Sequence, residues 1–242
     1  MRQLLLVVFL ALLVAAAWFL WKRASPQLLP HVESSPTITK QPVNFVTRTF
    51  DPENPSSDMP PLAPGEAAVC DSDFLSVAQV GGDAHATDDS HGIVTVTSVN
   101  VNLQLNITIW VPINASNVLI EHEQGHRQIS EHFYETADKI AAQIAATYLG
   151  KKFSVSGPDV HAELDKSLKQ MAAEITQEYN KQLDPNPTQL RYDAITNHSL
   201  NDIPSKDAVA QALAEMGRAS TKPAKNLGQF TAYQISQVRK AR

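Results

Sequence analysis

Between Val99 and Val111 the chain alternates without a break. Val99, Val101, Leu103, Leu105, Ile107, Ile109 and Val111 fall on one side, with Asn100, Asn102, Gln104, Asn106 and Thr108 on the other. Successive side chains of a strand point to opposite faces, so this pattern dictates a β-strand with one buried and one wet face. A single wet face favours an antiparallel sheet. Val94 and Val96 keep the opposite phase, which calls for a bulge or turn near Ser98. Phe74–Val80 reads as a shorter strand, with Gly81-Gly82 turning the chain after it.

After Pro112 the apolar period lengthens to that of a helix. Ser116 is a candidate N-cap, and helical spacing runs from Val118 to Leu149, stopped by Gly150. A second helix is expected over Val160–Leu183, capped by Asp159 and ended by Asp184-Pro185-Asn186-Pro187. A shorter third helix is expected at Lys206–Met216. The expected fold class is α+β: a small antiparallel sheet packed on the first long helix, with the second long helix running back beside it after a turn near residue 155.

The N-terminus and the charge bound the function classes. Arg2 precedes an apolar run from Leu4 to Trp21, followed by Lys22 and Arg23. At 1.5 Å per residue such a run just spans a hydrocarbon core of about 30 Å. Trp18, Phe19, Trp21 and the two cations have the character of interfacial anchors, so residues 1–23 read as a transmembrane signal anchor, with a cleaved signal peptide as the alternative. Residues 24–66, rich in Pro and Ser, read as a linker with one short strand at Val43–Phe50, which leaves 67–242 as the folded domain. Either N-terminal reading places that domain outside the cytoplasm, anchored to the inner membrane on the periplasmic side or secreted. A net charge of −5 argues against a nucleic-acid partner. Cys70 is the single cysteine, so no intrachain disulfide forms, and Asp71 and Asp73 beside it oppose a reactive thiolate.

The motif with chemical content is His122-Glu123-Gln124-Gly125-His126. Residues four apart share one helix face, so both imidazoles can grip one Zn²⁺, and the intervening Glu123 is placed to act as a general base. The plainer reading is a pair of core histidines held by Glu121 and Glu131. A catalytic zinc needs a third protein ligand. On an antiparallel helix pair Glu163 lies too far along the axis, Glu174 is borderline and Glu178 is at the limit. The segment Tyr192–His198 is better placed. His198 is the first choice there, then Asp193, which could instead orient a ligating imidazole, and then Glu178. Tyr192 is a candidate donor to a developing oxyanion, with a core aromatic as the plainer reading. His85 and His91, near Asp83, Asp88 and Asp89, read as a polar loop rather than a second metal site, and His132 as solvent-facing.

Together, His122-Glu123-Gln124-Gly125-His126 and the later Tyr192-Asp193-Ala194-Ile195-Thr196-Asn197-His198 resemble a bacterial family of predicted secreted zinc-dependent proteases, a zincin-like domain of unknown function. The likeness covers roughly Pro60 to Leu200. Arg127-Gln128 departs from it, where Phe-Asp is commoner, as does Ser199 where a Gly often stands. The resemblance implies a zinc metallopeptidase acting on a peptide or protein. The expectation is thus hydrolysis by zinc-activated water with Glu123 as general base. The metal would be held by His122, His126 and one of the downstream groups. An edge strand within Val99–Val111 is expected to receive an extended peptide. The alternative is a non-catalytic, membrane-anchored cell-envelope module in which the metal or the helix pair is structural.

Overall fold

The structure is a computed structural model that describes residues 31–63 and 65–220. Its chain order is β1 (Thr37–Lys40), β2 (Asn44–Phe50), β3 (Val69–Ala86), β4 (His91–Pro112), α1 (Asn117–Glu135), α2 (Ala137–Ala146), β5 (Lys152–Ser156), α3 (Val160–Gln182), α4 (Asn186–Thr196) and α5 (Ser205–Ser220). The fold is α+β.

The alternating segment becomes β4, and every other strand pairs with it. β3 runs antiparallel along almost its full length, from Val69 opposite Trp110 to Ala86 opposite Gly92. On the other edge β1 and β2 lie parallel to β4, and β5 pairs antiparallel with its first residues. The sheet is therefore mixed, which corrects the expectation of an antiparallel one. The parallel strands come from the segment read as linker. Pro42, which has no N–H to give to a ladder, separates them; residues 37–40 are sheet rather than spacer, and β2 is the short strand expected at Val43–Phe50.

The phase change near Ser98 is a bulge. Gly81 faces Ser98 but Gly82 faces Val96, so Thr97 is the extra residue. That single insertion lets Val94 and Val96, and then Val99 to Leu105, all point to the same interior. They are fully buried there, Val96 to Leu105 beneath Ala141, Ile144, Ile175 and Tyr179 of α2 and α3, and Val94 against Val155 and Leu164.

The helix expected from Val118 to Leu149 is two helices. At Thr136 the backbone N–H reaches back to Phe133 O, and the hydroxyl takes the same carbonyl, which breaks the regular ladder. A second correction concerns the helix pair. Residues 152–156 alternate in burial, with Phe153 and Val155 turned inward, and form β5 where a plain turn was expected. The detour sends α3 onto β3 and α2, while α1 packs against α4 and α5 instead.

The expectation of a single-pass anchored protein is also corrected: no helix among the described residues is long and apolar enough to cross a membrane. The run at 1–23, on which that expectation rested, lies outside the described residues.

Candidate metal centre

Ser116 caps α1 by accepting Leu119 N–H at 3.2 Å, which starts the helix so that His122 and His126 face α4 one turn apart. Both Glu123 and His122 are buried. The imidazole planes are nearly perpendicular, and their Nε2 atoms lie 3.2 Å apart. From α4, Asp193 Oδ1 comes to 3.3 Å from His122 Nε2 and 2.9 Å from His126 Nε2. His122, His126 and Asp193 thus form a group that could hold a metal ion.

The three separations can be tested against coordination geometry. Four ligands at about 2.0–2.2 Å from a tetrahedral ion stand roughly 3.3–3.6 Å from one another, so small outward shifts of these atoms would admit one. The observed edges are 2.9, 3.2 and 3.3 Å. Hydrogen bonding accounts for the edge between the two Nε2 atoms, but not for the two edges that Asp193 makes. Asp193 Oδ1 is buried, and despite its closeness to both rings it has no aligned hydrogen bond. Three ligand atoms, one of them a buried carboxylate oxygen with no aligned partner, thus crowd a single point, an arrangement that a cation would complete.

Second contacts fix which nitrogen of His126 faces that centre. Gln189, one turn before Asp193 on α4, donates through its amide to His126 O and Ser130 Oγ, both at 3.0 Å. Its carbonyl oxygen is left to accept from His126 Nδ1 at 2.7 Å. With the proton on Nδ1, the Nε2 lone pair of a neutral His126 faces Asp193 and His122. Ser130 in turn bonds Ser72 of β3 at 2.9 Å, tying the site to the sheet.

Gly125 explains how closely α4 approaches. A Cβ at this position would lie 2.2 Å from Tyr192 Oη and 2.6 Å from Ser205 Oγ, so only glycine admits the tyrosine. Tyr192 is fully buried, stacks on the His122 ring at 5.0 Å, donates to His122 O at 3.1 Å and shares a 2.8 Å bond with Ser205. Its hydroxyl is committed to the α1 backbone, so the expectation of an oxyanion donor is corrected: Tyr192 supports the histidine.

His198 stands outside the trio. Its side chain is 50% exposed, with Nδ1 3.9 Å from Asp193 Oδ1. It follows the end of α4 in a run of three left-handed residues, Asn197, His198 and Ser199, with φ of 48°, 51° and 70°. That turn keeps it at the rim of the site. Glu174 and Glu178 lie in the groove between α2 and α3 and take no part. His91 bonds Asp88 at 2.8 Å in an exposed hairpin, and His132 pairs with Glu135 on the surface.

The electrostatics follow from burial and crowding. Burial pushes Glu123 up to about 7; His126 opposes this, while Asp193 and Glu66 add to it. Burial alone would raise Asp193 as well, but the contacts and charges of His122 and His126 outweigh it and hold that carboxyl below the usual range. For His126 burial works against the charged form, yet Asp193, Glu123 and Gln189 raise its pKa overall. A cleft of about 520 Å³ opens over His122 and His126, walled by residues 65–70, by α1 and by residues 198–200, and Glu123 lines it.

Gln189, Ser130 and Ser205 were not singled out from sequence. Gln189 carries a legible signal, since it sits four residues before Asp193 and so shares its helix face. The chain matches no family model, and no curated protein or solved structure is significantly similar to it.

Proposed function

We propose that this chain is a zinc-dependent hydrolase of zincin type, acting on peptides, and kin to the H-E-Q-G-H family that its motifs resemble. The observation that carries the proposal is the convergence of His122 Nε2, His126 Nε2 and Asp193 Oδ1 at close to tetrahedral spacing beside a buried glutamate and an open cleft. Two imidazoles and one carboxylate are a donor set that suits zinc and leaves a position free. Zinc, when bound, supplies Lewis acidity for the attack of water on an amide carbonyl.

The chain's own residues do the rest. Glu123 takes a proton from the attacking water onto a carboxylate oxygen, and a pKa near neutrality suits it to return that proton to the leaving amine as the C–N bond breaks. Gln189 and Tyr192 hold the two imidazoles. The segment Ala67–Cys70 leads into the outer edge of β3, which has no strand partner among the described residues and offers an extended peptide a ladder to join. The edge expected within Val99–Val111 is not available for this, because β4 is flanked on both sides.

Metal content by plasma mass spectrometry tests the reading. About one zinc per wild-type chain is expected, with none in Asp193→Ala or His126→Ala. Glu123→Gln should keep the metal and lose peptide hydrolysis by a factor of about 10² or more. A folded wild-type chain that takes up no zinc after reconstitution would refute the proposal. Hydrolysis undiminished in Glu123→Gln would remove the glutamate's assigned role.

A further inference from the structure

A second concavity adjoins the metal cleft. It has a volume of about 450 Å³ and is lined by Phe50, Pro55, Met59, Pro61 and Pro112, among other apolar groups. Glu66 and Ala67 line both it and the metal cleft, so the two hollows meet along one stretch of chain.

The far wall is constructed rather than loose. Asp58 takes an ion pair from Arg48 of β2 and a hydrogen bond from Ser56, and Met59 N–H bonds Ser56 O at 3.1 Å. Asn54 N–H closes a turn onto Asp51 O at 3.0 Å. Prolines fill much of the remaining wall, with φ fixed and no N–H to offer a ligand. Apart from Ser56, whose hydroxyl is given to Asp58, and Glu66 at the border, the lining is apolar, and such a surface recognises shape and apolarity.

Resting on the hydrolase reading, we infer that this hollow is a specificity subsite for a large aliphatic or aromatic side chain of the substrate peptide. The occupant is set by continuity. A peptide laid along residues 66–70 towards Glu123 passes directly over the shared border at Glu66 and Ala67. From Cys70 to Glu66 an extended chain covers at most roughly 13 Å. The side chain that enters the hollow therefore stands about three or four residues from the scissile bond, on one side of it only. A long reach of this kind makes the enzyme a reader of extended sequence rather than of the bond alone.

The test uses the zinc-reconstituted full chain and an equimolar library of unstructured 14-residue peptides, with cleavage sites read by mass spectrometry. Expected is an enrichment of Leu, Met or Phe over Asp or Gly of about tenfold, confined to one position three or four residues from the cut. Met59→Lys places a charge in the hollow and Ala67→Phe blocks its mouth. Each should abolish that enrichment while zinc content stays at the wild-type level, which reports an intact site. Cleavage by the wild type with no apolar preference at that distance would overturn the subsite and leave the hydrolase reading standing. Enrichment that survives both substitutions would overturn it too. Absence of any cleavage at full zinc loading would refute the hydrolase reading itself, and the subsite with it.

Discussion

Gln189→Leu separates the ability to bind metal from the ability to fold. Leucine matches the volume of glutamine but removes three contacts: the 2.7 Å bond to His126 Nδ1 and the two 3.0 Å bonds to His126 O and Ser130 Oγ. The first of these holds the proton on Nδ1, so that Nε2 is presented unprotonated to the metal. Without it His126 is free to adopt the other tautomer and to rotate, and both changes must be reversed when zinc binds. Loss of a partner behind a ligating histidine typically weakens metal affinity 10–100-fold, or about 1.4–2.7 kcal/mol. That range matches one or two net hydrogen bonds at about 1 kcal/mol each. The assay is competition for zinc against a chromophoric chelator, run beside thermal unfolding of the metal-free chain. Gln189→Glu keeps an acceptor for Nδ1 and should hold affinity close to wild type. An affinity of Gln189→Leu within twofold of wild type, in a folded chain, would refute the reasoning about the tautomer.

Other perturbations have equally definite outcomes. Gly125→Ala would set a Cβ 2.2 Å from Tyr192 Oη, and should cost about 1–3 kcal/mol by overpacking, read as a lowered denaturation midpoint with α4 displaced from α1. Tyr192→Phe should cost about 1 kcal/mol of stability and retain the metal, and a loss of turnover beyond 10²-fold at full metal content would return the tyrosine to the chemistry. Burial pushes Cys70 up to about 12, and the thiolate needed for alkylation is present only as the pH approaches that value. Iodoacetamide at pH 8 should therefore leave the native chain unmodified over hours and label it within minutes in denaturant, as intact mass would record.

Much of the site was legible because its logic is local. The four-residue spacing of His122 and His126 puts both rings on one face of any helix, whatever the helix packs on. The third group was harder, because its position depends on the path of the chain between helices. A ruler laid along an uninterrupted helix pair reached the segment that brings Asp193 to the two histidines, although β5 and the break at Thr136 make that pairing wrong in detail. Within the segment, preference by ligand type favoured His198. Helix phase decided otherwise: α4 aims Asp193 at α1, and His198 lies past its end in left-handed backbone. The strand at Val43–Phe50 was legible and is β2, whereas β1 was obscured by Pro36 and Pro42, which signal a spacer but only flank the strand and leave its ladder intact.

Because every strand depends on β4, the order in which the chain leaves the ribosome has a consequence. β1 and β2 precede β4 in the chain and have nothing to pair with until β4, the second arm of the β3–β4 hairpin, has followed; Asn44 waits for Asn106, 62 positions later. For that interval two strand-forming segments are exposed to solvent with their ladders unsatisfied. A slow codon stretch or a chaperone holding the nascent chain at this stage would govern the yield of folded protein more than the stability of the finished domain does.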